Sequence, residues 1–328
     1  MQYANVSSVP LSLAVFLATD TYDHIDTPNY ISVTSLIKPV RQLILASRVQ
    51  PAEVAPDLGA MINSRMGTAI HDGIERAWKD NHINALKALG YPERVISRIR
   101  INPAEDELSQ DIIPVYLEQR SFKKVGKYTI GGKFDFIGEG RVEDFKTTST
   151  FTAMSKNKDD DYILQGSLYR WLNPKLVTRD EMAIQFIFTD WSAAKAKTDP
   201  SYPQKRIQER VLKLKSIPET DAYVRRKLAL IEQYWDAPED QIPECADSDL
   251  WRTEPVFKYY KNKDKVGGRS TKNFETKQEA YDRLAVDGHI GVVIEHPGQV
   301  KACHYCAGAT VCTQKDRLIA AGDLVVSA

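Results

Sequence analysis

Residues 142–150 read VEDFKTTST, and no other stretch constrains the fold of this chain as strongly. As a strand its side chains alternate between faces, so Asp144 and Lys146 point one way while Glu143 and Phe145 point the other. The segment before it, KYTIGGKFDFIGEGR, completes a hairpin: alternating residues run up to Ile137, Gly-Glu-Gly turns the chain, and the second strand carries Val142, Asp144 and Lys146. Asp135 then lies on the first strand, and three charged side chains converge on one cross-strand site. Burying three charges is too costly without a compensating partner. Two aspartates repel unless a cation stands between them, and hard carboxylate ligands select Mg²⁺ or Mn²⁺. An ammonium group beside such an ion orients water or neutralises charge building up on a phosphate, which is the chemistry of phosphodiester hydrolysis.

The surroundings of the hairpin read as an α/β protein. SRMGTAIHDGIERAWKDN (64–81) repeats Ile70, Ile74 and Trp78 every four residues, a helix with an apolar stripe, and His71 and Glu75 share an adjoining face. Glu75 pairs most simply with Lys79 on the surface. DYILQGSLYRWLNP (161–174) is a short helix ended by Pro174 and carries Gln165 and Tyr169 four apart, a spacing that packing on the sheet explains equally well. AIQFIFTDW (183–191) is a buried strand, RIQERVLKLK alternates as another, and residues 218–235 form a helix. Upstream, ISVTSLIKPVRQLIL offers Ser32 or Thr34 as a helix cap, with Pro39 interrupting or starting the helix.

Composition narrows the class. The 328 residues are 42% hydrophobic, enough for a full core, and 44 basic residues balance 44 acidic ones, so a nucleic-acid role must rest on local patches. The early apolar run LSLAVFLA (11–18) is too short to span a bilayer and has no basic residue before it, so the expected location is cytoplasmic, within the host if the gene is a phage's. Four cysteines in such a chain are thiols or metal ligands rather than disulfides.

Together, GTAIHDGIE, GGKFDF, VEDFKTTS and QGSLY resemble the PD-(D/E)xK nuclease superfamily, most closely its RecB-like branch, which includes CRISPR-associated RecB-like nucleases and phage exonucleases. Position by position, the resemblance puts the first acid on Asp135, the acid-x-Lys on Asp144 and Lys146, the helix pair on Gln165 and Tyr169, and the upstream histidine on His71. It implies that His71, Asp135, Asp144 and the Phe145 carbonyl hold Mg²⁺ or Mn²⁺, that Lys146 positions the attacking water, and that Gln165 and Tyr169 orient the nucleotide or the lysine. Glu143 points away and is not a ligand. The residue before Asp135 is Phe134, where the superfamily's name gives proline. The resemblance spans roughly residues 30–190. The implied fold is a restriction-endonuclease-like core, a mixed central sheet flanked by helices, over residues 1–240.

Residues 241–328 form a smaller α+β module that holds every cysteine. Cys303, Cys306 and Cys312 make C-x2-C-x5-C, and with Cys245 they compose a site for zinc or an iron-sulfur cluster. The triple resembles the iron-sulfur staple of RecB-like nucleases, which implies a 4Fe-4S cluster, with Zn²⁺ as the alternative. In those proteins the lone cysteine precedes the core, where this chain reads VRQLILASR; here Cys245 follows it. Between the cysteines, Phe257, Tyr259 and Tyr260 interleave with Lys258, Lys261, Lys263, Lys265, Arg269 and Lys272, a mixture suited to stacking on bases and following phosphates, and equally to a solvated hairpin with lysine-guarded edges. Lys205, Arg206, Arg210, Lys213, Lys215 and Arg225 to Lys227 add a second basic group.

The expected activity is a metal-dependent DNA exonuclease of recombination or replication, from a phage or bacterium, acting on DNA ends and possessing no membrane partner. Two other readings stay open: a non-catalytic DNA-binding or assembly factor on the same fold, and a site-specific endonuclease.

Overall fold

The structure is a computed structural model, and it describes residues 3–20, 25–50 and 55–325. The chain divides into two units, Met1–Ile37 with Ala52–Arg226, and Lys38–Pro51 with Lys227–Ala328. The boundary expected near residue 240 thus falls at 227, and the helix Val40–Arg48 joins the C-terminal unit. Its own contacts explain why. Ile44 and Leu45 bury against Ile242, Arg41 donates to the Ile242 carbonyl at 2.8 Å, and Arg48 donates to the carbonyls of Trp235 and Ala237 at 2.7 and 2.8 Å.

The first unit contains strands β1 (Tyr30–Ser32), β2 (Ile99–Ile101), β3 (Ile113–Leu117), β4 (Arg120–Val125), β5 (Tyr128–Lys133), β6 (Phe136–Gly138), β7 (Arg141–Thr148), β8 (Glu181–Phe188) and β9 (Ile207–Lys213). Six form a mixed sheet in the order β2-β3-β6-β7-β8-β9, and β1-β5-β4 form a second sheet. Strands β7 and β8 run parallel, with Asp144 opposite Ile184 and Lys146 opposite Phe186. Parallel neighbours need a crossover, which the helices Thr150–Ser155 and Asp159–Leu172 supply. Met182, Ile184, Phe186 and Phe188 of β8 share one face and are all buried, while on the other face Ala183 is buried and Gln185 and Ile187 are half-buried. The helix Asp159–Leu172 covers the buried face of β8, its Tyr162 meeting Phe186, and the helix Ile62–Ala88 packs on the sheet at β6, its Trp78 on Phe136 at 5.3 Å between ring centroids.

Two breaks shape the site. Strand β3 passes into β4 through Glu118 and Gln119, and β5 passes into β6 through Phe134 and Asp135. The breaks face each other: the Glu118 N–H donates to the Asp135 carbonyl at 3.1 Å, and the Phe134 N–H donates to the Gln119 carbonyl at 3.2 Å. Glu118 turns with φ 50°, in the left-handed region that L residues rarely adopt. Irregularities of this kind re-aim side chains beside active sites. Downstream, Glu139 (φ 50°) and Gly140 (φ 76°) make the tight β6–β7 turn, both left-handed as a two-residue hairpin loop requires.

The hydroxyl run after β7 serves as a helix start. Ser149 Oγ accepts the Thr152 N–H at 3.3 Å, and the Thr150 N–H is held by Asp190 at 2.7 Å.

The second unit holds a three-stranded antiparallel sheet, β11 (Lys272–Phe274), β10 (Val256–Tyr260) and β12 (Val292–His296), with β10 central. The helix Lys277–Val286 starts on a capping box between Thr276 and Glu279. Among the described residues no helix is long and apolar enough to cross a membrane.

Candidate active site

Asp144 is the buried centre of the site, with a side chain only 2% exposed. Its position follows from strand alternation, which turns Asp144 and Lys146 toward the helix Asp159–Leu172. Gln165 Nε2 donates to Asp144 Oδ1 at 3.1 Å, and Lys146 Nζ stands 2.5 Å from Oδ2. Oδ2 accepts no well-aligned hydrogen bond among the described residues and is left to that ion pair. Burial pushes the Asp144 carboxyl up to about 6, against the pull of Lys146 and with the charge of Asp135 adding to the rise. Burial also works against the Lys146 ammonium, but the charges of Asp144 and Asp135 outweigh it and raise its pKa. Lys146 Nζ lies 5.8 Å from the centre of the Tyr162 ring.

Asp135 arrives from the β5–β6 break. Its Oδ2 accepts the Phe145 N–H at 2.9 Å, which fixes the carboxylate beside β7. His71 arrives from the helix Ile62–Ala88, with Nε2 3.0 Å from the Phe145 carbonyl and Nδ1 3.5 Å from both Asp135 Oδ1 and Glu118 Oε1. Burial disfavours the imidazolium, yet Asp135, Glu118 and the Phe145 carbonyl outweigh it and lift the His71 pKa to about 10. Glu118 Oε2 is paired in turn with Lys133 Nζ at 2.5 Å. Among the described residues His71, Glu118 and Asp135 form the one trio of such ligands with atoms within 4.8 Å of one another.

These residues fit a hard divalent cation. His71 Nε2 and the Phe145 carbonyl stand 3.0 Å apart, a hydrogen bond in the ion-free protein, and the carboxylates of Asp135 and Glu118 beside them are the hard donors such an ion takes. A second sign is the buried Asp144 Oδ2, which only the Lys146 ammonium meets.

The structure therefore brings His71, Asp135, Asp144, the Phe145 carbonyl and Lys146 together. Glu143 turns to the opposite face, bonded to Arg141 and Gln185, and Glu75 pairs with Lys79 at 2.6 Å. Of the helix pair expected to orient the nucleotide or the lysine, Gln165 also donates to the Tyr169 hydroxyl at 3.0 Å and Tyr169 is 3% exposed, so the pair braces Asp144 from the core. Glu118 and Lys133 escape a reading of the sequence; the one signal is an acidic interruption, Glu-Gln, between two strand-like runs.

In the second unit the expected stacking residue Tyr260 is corrected as well. It is 1% exposed and Tyr259 is fully buried, because β10 is the central strand and both rings fill the core. Lys261, Lys263, Lys265 and Arg269 are exposed and Lys258 is half-buried, so cations remain available there without the aromatic platform. Of the other basic group, Arg210 is tied to Asp159 at 2.6 Å and Arg225 to Asp221 at 2.7 Å, whereas Lys205, Arg206 and Lys215 are exposed.

The four cysteines are half-buried free thiols. Burial, then the charges of Asp249, Cys312 and Cys306, pushes Cys245 up to about 12, and burial with Cys306 and Cys312 raises Cys303. Arg41 Nε donates to Cys312 Sγ at 3.3 Å, so the helix reading VRQLILASR contributes an arginine, not a cysteine, to this cluster. No three of the sulfurs lie within 4.8 Å of one another.

No protein-family model matches the chain, and no curated protein matches its sequence. Among solved structures the chain is similar to SSO0001, at 16% identity over 66% of this chain and 81% of that one, with a TM-score of 0.38. It is also similar to a phage-related exonuclease from Haemophilus somnus 129PT, at 13% identity over 63% of this chain and 93% of that one, with a TM-score of 0.29.

Proposed function

We propose that this protein is a Mg²⁺- or Mn²⁺-dependent deoxyribonuclease, an exonuclease that works from DNA ends in recombination or replication. The observation that carries the reading is Asp144: a buried carboxylate with one oxygen left to an ion pair, beside a second aspartate, an imidazole and a carbonyl delivered by separate elements. A core tolerates that cost where a cation is held.

His71, Asp135, Asp144 and the Phe145 carbonyl hold the ion in this reading. When bound, the ion supplies Lewis acidity toward a phosphate oxygen and a water made acidic enough to attack at neutral pH. The chain's own groups do the rest. Gln165 locks the Asp144 carboxylate from behind. Lys146 presents an ammonium beside the same carboxylate, where it orients the attacking water and offsets charge growing on the phosphate. Without the ion, Glu118, Asp135 and Asp144 are balanced by Lys133, Lys146 and protonated His71, so the pocket is electrically even before the ion enters.

DNA is held by exposed cations, among them Lys261, Lys263 and Arg269, through phosphate contacts. The cysteines hold a metal centre. Four thiolates on one zinc stand ~3.8 Å apart at a ~2.3 Å bond length, whereas a cluster gives each cysteine its own iron and spaces the sulfurs more widely. The visible absorbance of anaerobically purified protein discriminates the 4Fe-4S reading from zinc.

Incubating linear and closed circular DNA with and without Mg²⁺ tests the activity. The reading expects digestion of linear DNA alone and only with the ion. Discrete fragments from circles indicate an endonuclease, and Mg²⁺-indifferent binding without product indicates an assembly factor.

A further inference from the structure

We propose that Glu118 is a positioning residue for the cation site: it accepts the Nδ1 proton of His71 and so leaves Nε2 unprotonated, facing the ion beside the Phe145 carbonyl. The inference rests on the reading of His71 as a cation ligand.

A neutral imidazole carries one proton, and it can offer Nε2 to an ion only if that proton sits on Nδ1. Two carboxylate oxygens stand 3.5 Å from Nδ1, Asp135 Oδ1 and Glu118 Oε1. Asp135 has prior duties, since its Oδ2 is fixed by the Phe145 N–H and, in the proposed site, its Oδ1 is a ligand of the ion. Glu118 is the acceptor without such a duty. Its other oxygen is held by Lys133 at 2.5 Å, which orients the carboxylate and balances its charge. With one oxygen turned to His71 and one to Lys133, Glu118 is engaged on both sides.

The backbone points the same way. Glu118 adopts φ 50° in the β3–β4 break, where a glycine fits without strain, and its N–H is bonded to the Asp135 carbonyl. A side chain 11% exposed is thereby delivered to His71 across two strands. Strained residues of this kind gather where the surrounding structure fixes them for a task. Carboxylates that orient a metal-binding histidine typically change ion affinity by about 10- to 100-fold when removed.

The test uses the full chain. Mn²⁺ binding is followed by the electron paramagnetic resonance of free Mn²⁺ in the wild type, Glu118→Ala, Glu118→Gln, His71→Ala and Asp144→Asn. Glu118→Ala is expected to weaken binding by about 10- to 100-fold, and Glu118→Gln, which keeps an acceptor oxygen, to recover most of it. In parallel, ¹⁵N-histidine NMR of the Mg²⁺-loaded wild type is expected to show His71 protonated at Nδ1 alone, a result independent of whether Glu118→Ala folds. Mn²⁺ affinity of folded Glu118→Ala within twofold of the wild type, or a proton on Nε2 in the loaded wild type, overturns the proposal. If the loss appears in Asp144→Asn and His71→Ala but not in Glu118→Ala, only the role of Glu118 falls. If the wild type binds no Mn²⁺, the cation reading falls and takes this inference with it.

Discussion

Gln165 and Asp144 meet inside the core of the N-terminal unit, where the amide Nε2 donates to Oδ1 at 3.1 Å while also donating to the Tyr169 hydroxyl at 3.0 Å. The helix Asp159–Leu172 therefore aims the acid, and the two helix residues differ in consequence. Gln165→Leu leaves Asp144 Oδ1 and the Tyr169 oxygen without this donor, at a cost of about 1–3 kcal/mol in urea unfolding, and lowers DNA cleavage by about 10- to 100-fold. Tyr169→Phe removes one hydroxyl, costs about 1 kcal/mol and leaves cleavage within a few-fold of wild type. Equal losses of activity in the two variants contradict a bracing role.

Asp144 destabilises the ion-free fold at neutral pH. Its folded carboxyl, at about 6, lies above the ordinary value of 3.8, so the folded state binds the proton more tightly than the unfolded state does. The contribution of this group to stability accordingly rises as pH falls from 7 through 6 toward 4. Thermal melts of Asp144→Asn without divalent ions are expected to lose that rise, while cleavage is abolished. A variant that keeps the wild-type rise between pH 7 and 4 contradicts the assignment of that proton to Asp144.

How much of this is legible in the sequence depends on how local the cause is. Asp144 with Lys146, and Gln165 with Tyr169, are readable because strand alternation and the helical repeat act between near neighbours. His71 is placed by its apolar stripe, whose Trp78 does pack on Phe136. Glu118 is not readable, since it reaches Asp135 through the pairing of two broken strands, a tertiary event with no local period. Tyr260 misleads for a related reason: aromatics among lysines look alike on an exposed ribbon and on a central strand, and neighbours far along the chain decide which it is. The unit boundary likewise depends on Ile44 and Leu45 finding Ile242.

On the proposed assignment, His71 couples ion binding to pH. At about 10 its folded value is well above the ordinary 6.5, so the ion-free protein carries an imidazolium at pH 7.5 and must release a proton when the ion binds. Calorimetry in two buffers of different ionisation enthalpy is expected to show close to one proton released per Mn²⁺, absent in His71→Ala. The stability this group gives the ion-free fold is full below 6.5 and is lost as pH rises through about 10. An unchanged proton count in His71→Ala contradicts the assignment.

Tyr260 and its neighbouring lysines separate fold from binding in the second unit. Tyr260→Ala empties a core position and costs about 3–5 kcal/mol in unfolding experiments. Lys263→Ala with Lys265→Ala leaves the melting temperature close to wild type and weakens DNA binding, with the salt dependence of log K falling by about 1 for each phosphate no longer neutralised. Unaltered binding and slope place the DNA elsewhere.

The most direct test of the shared cation pocket is the rate of linear DNA degradation at saturating Mg²⁺ by wild type, Asp144→Asn and Lys146→Ala, each shown folded by circular dichroism. The account predicts Mg²⁺-dependent degradation by the wild type and a loss of at least about 100-fold in both variants. Wild-type rates in either folded variant contradict it.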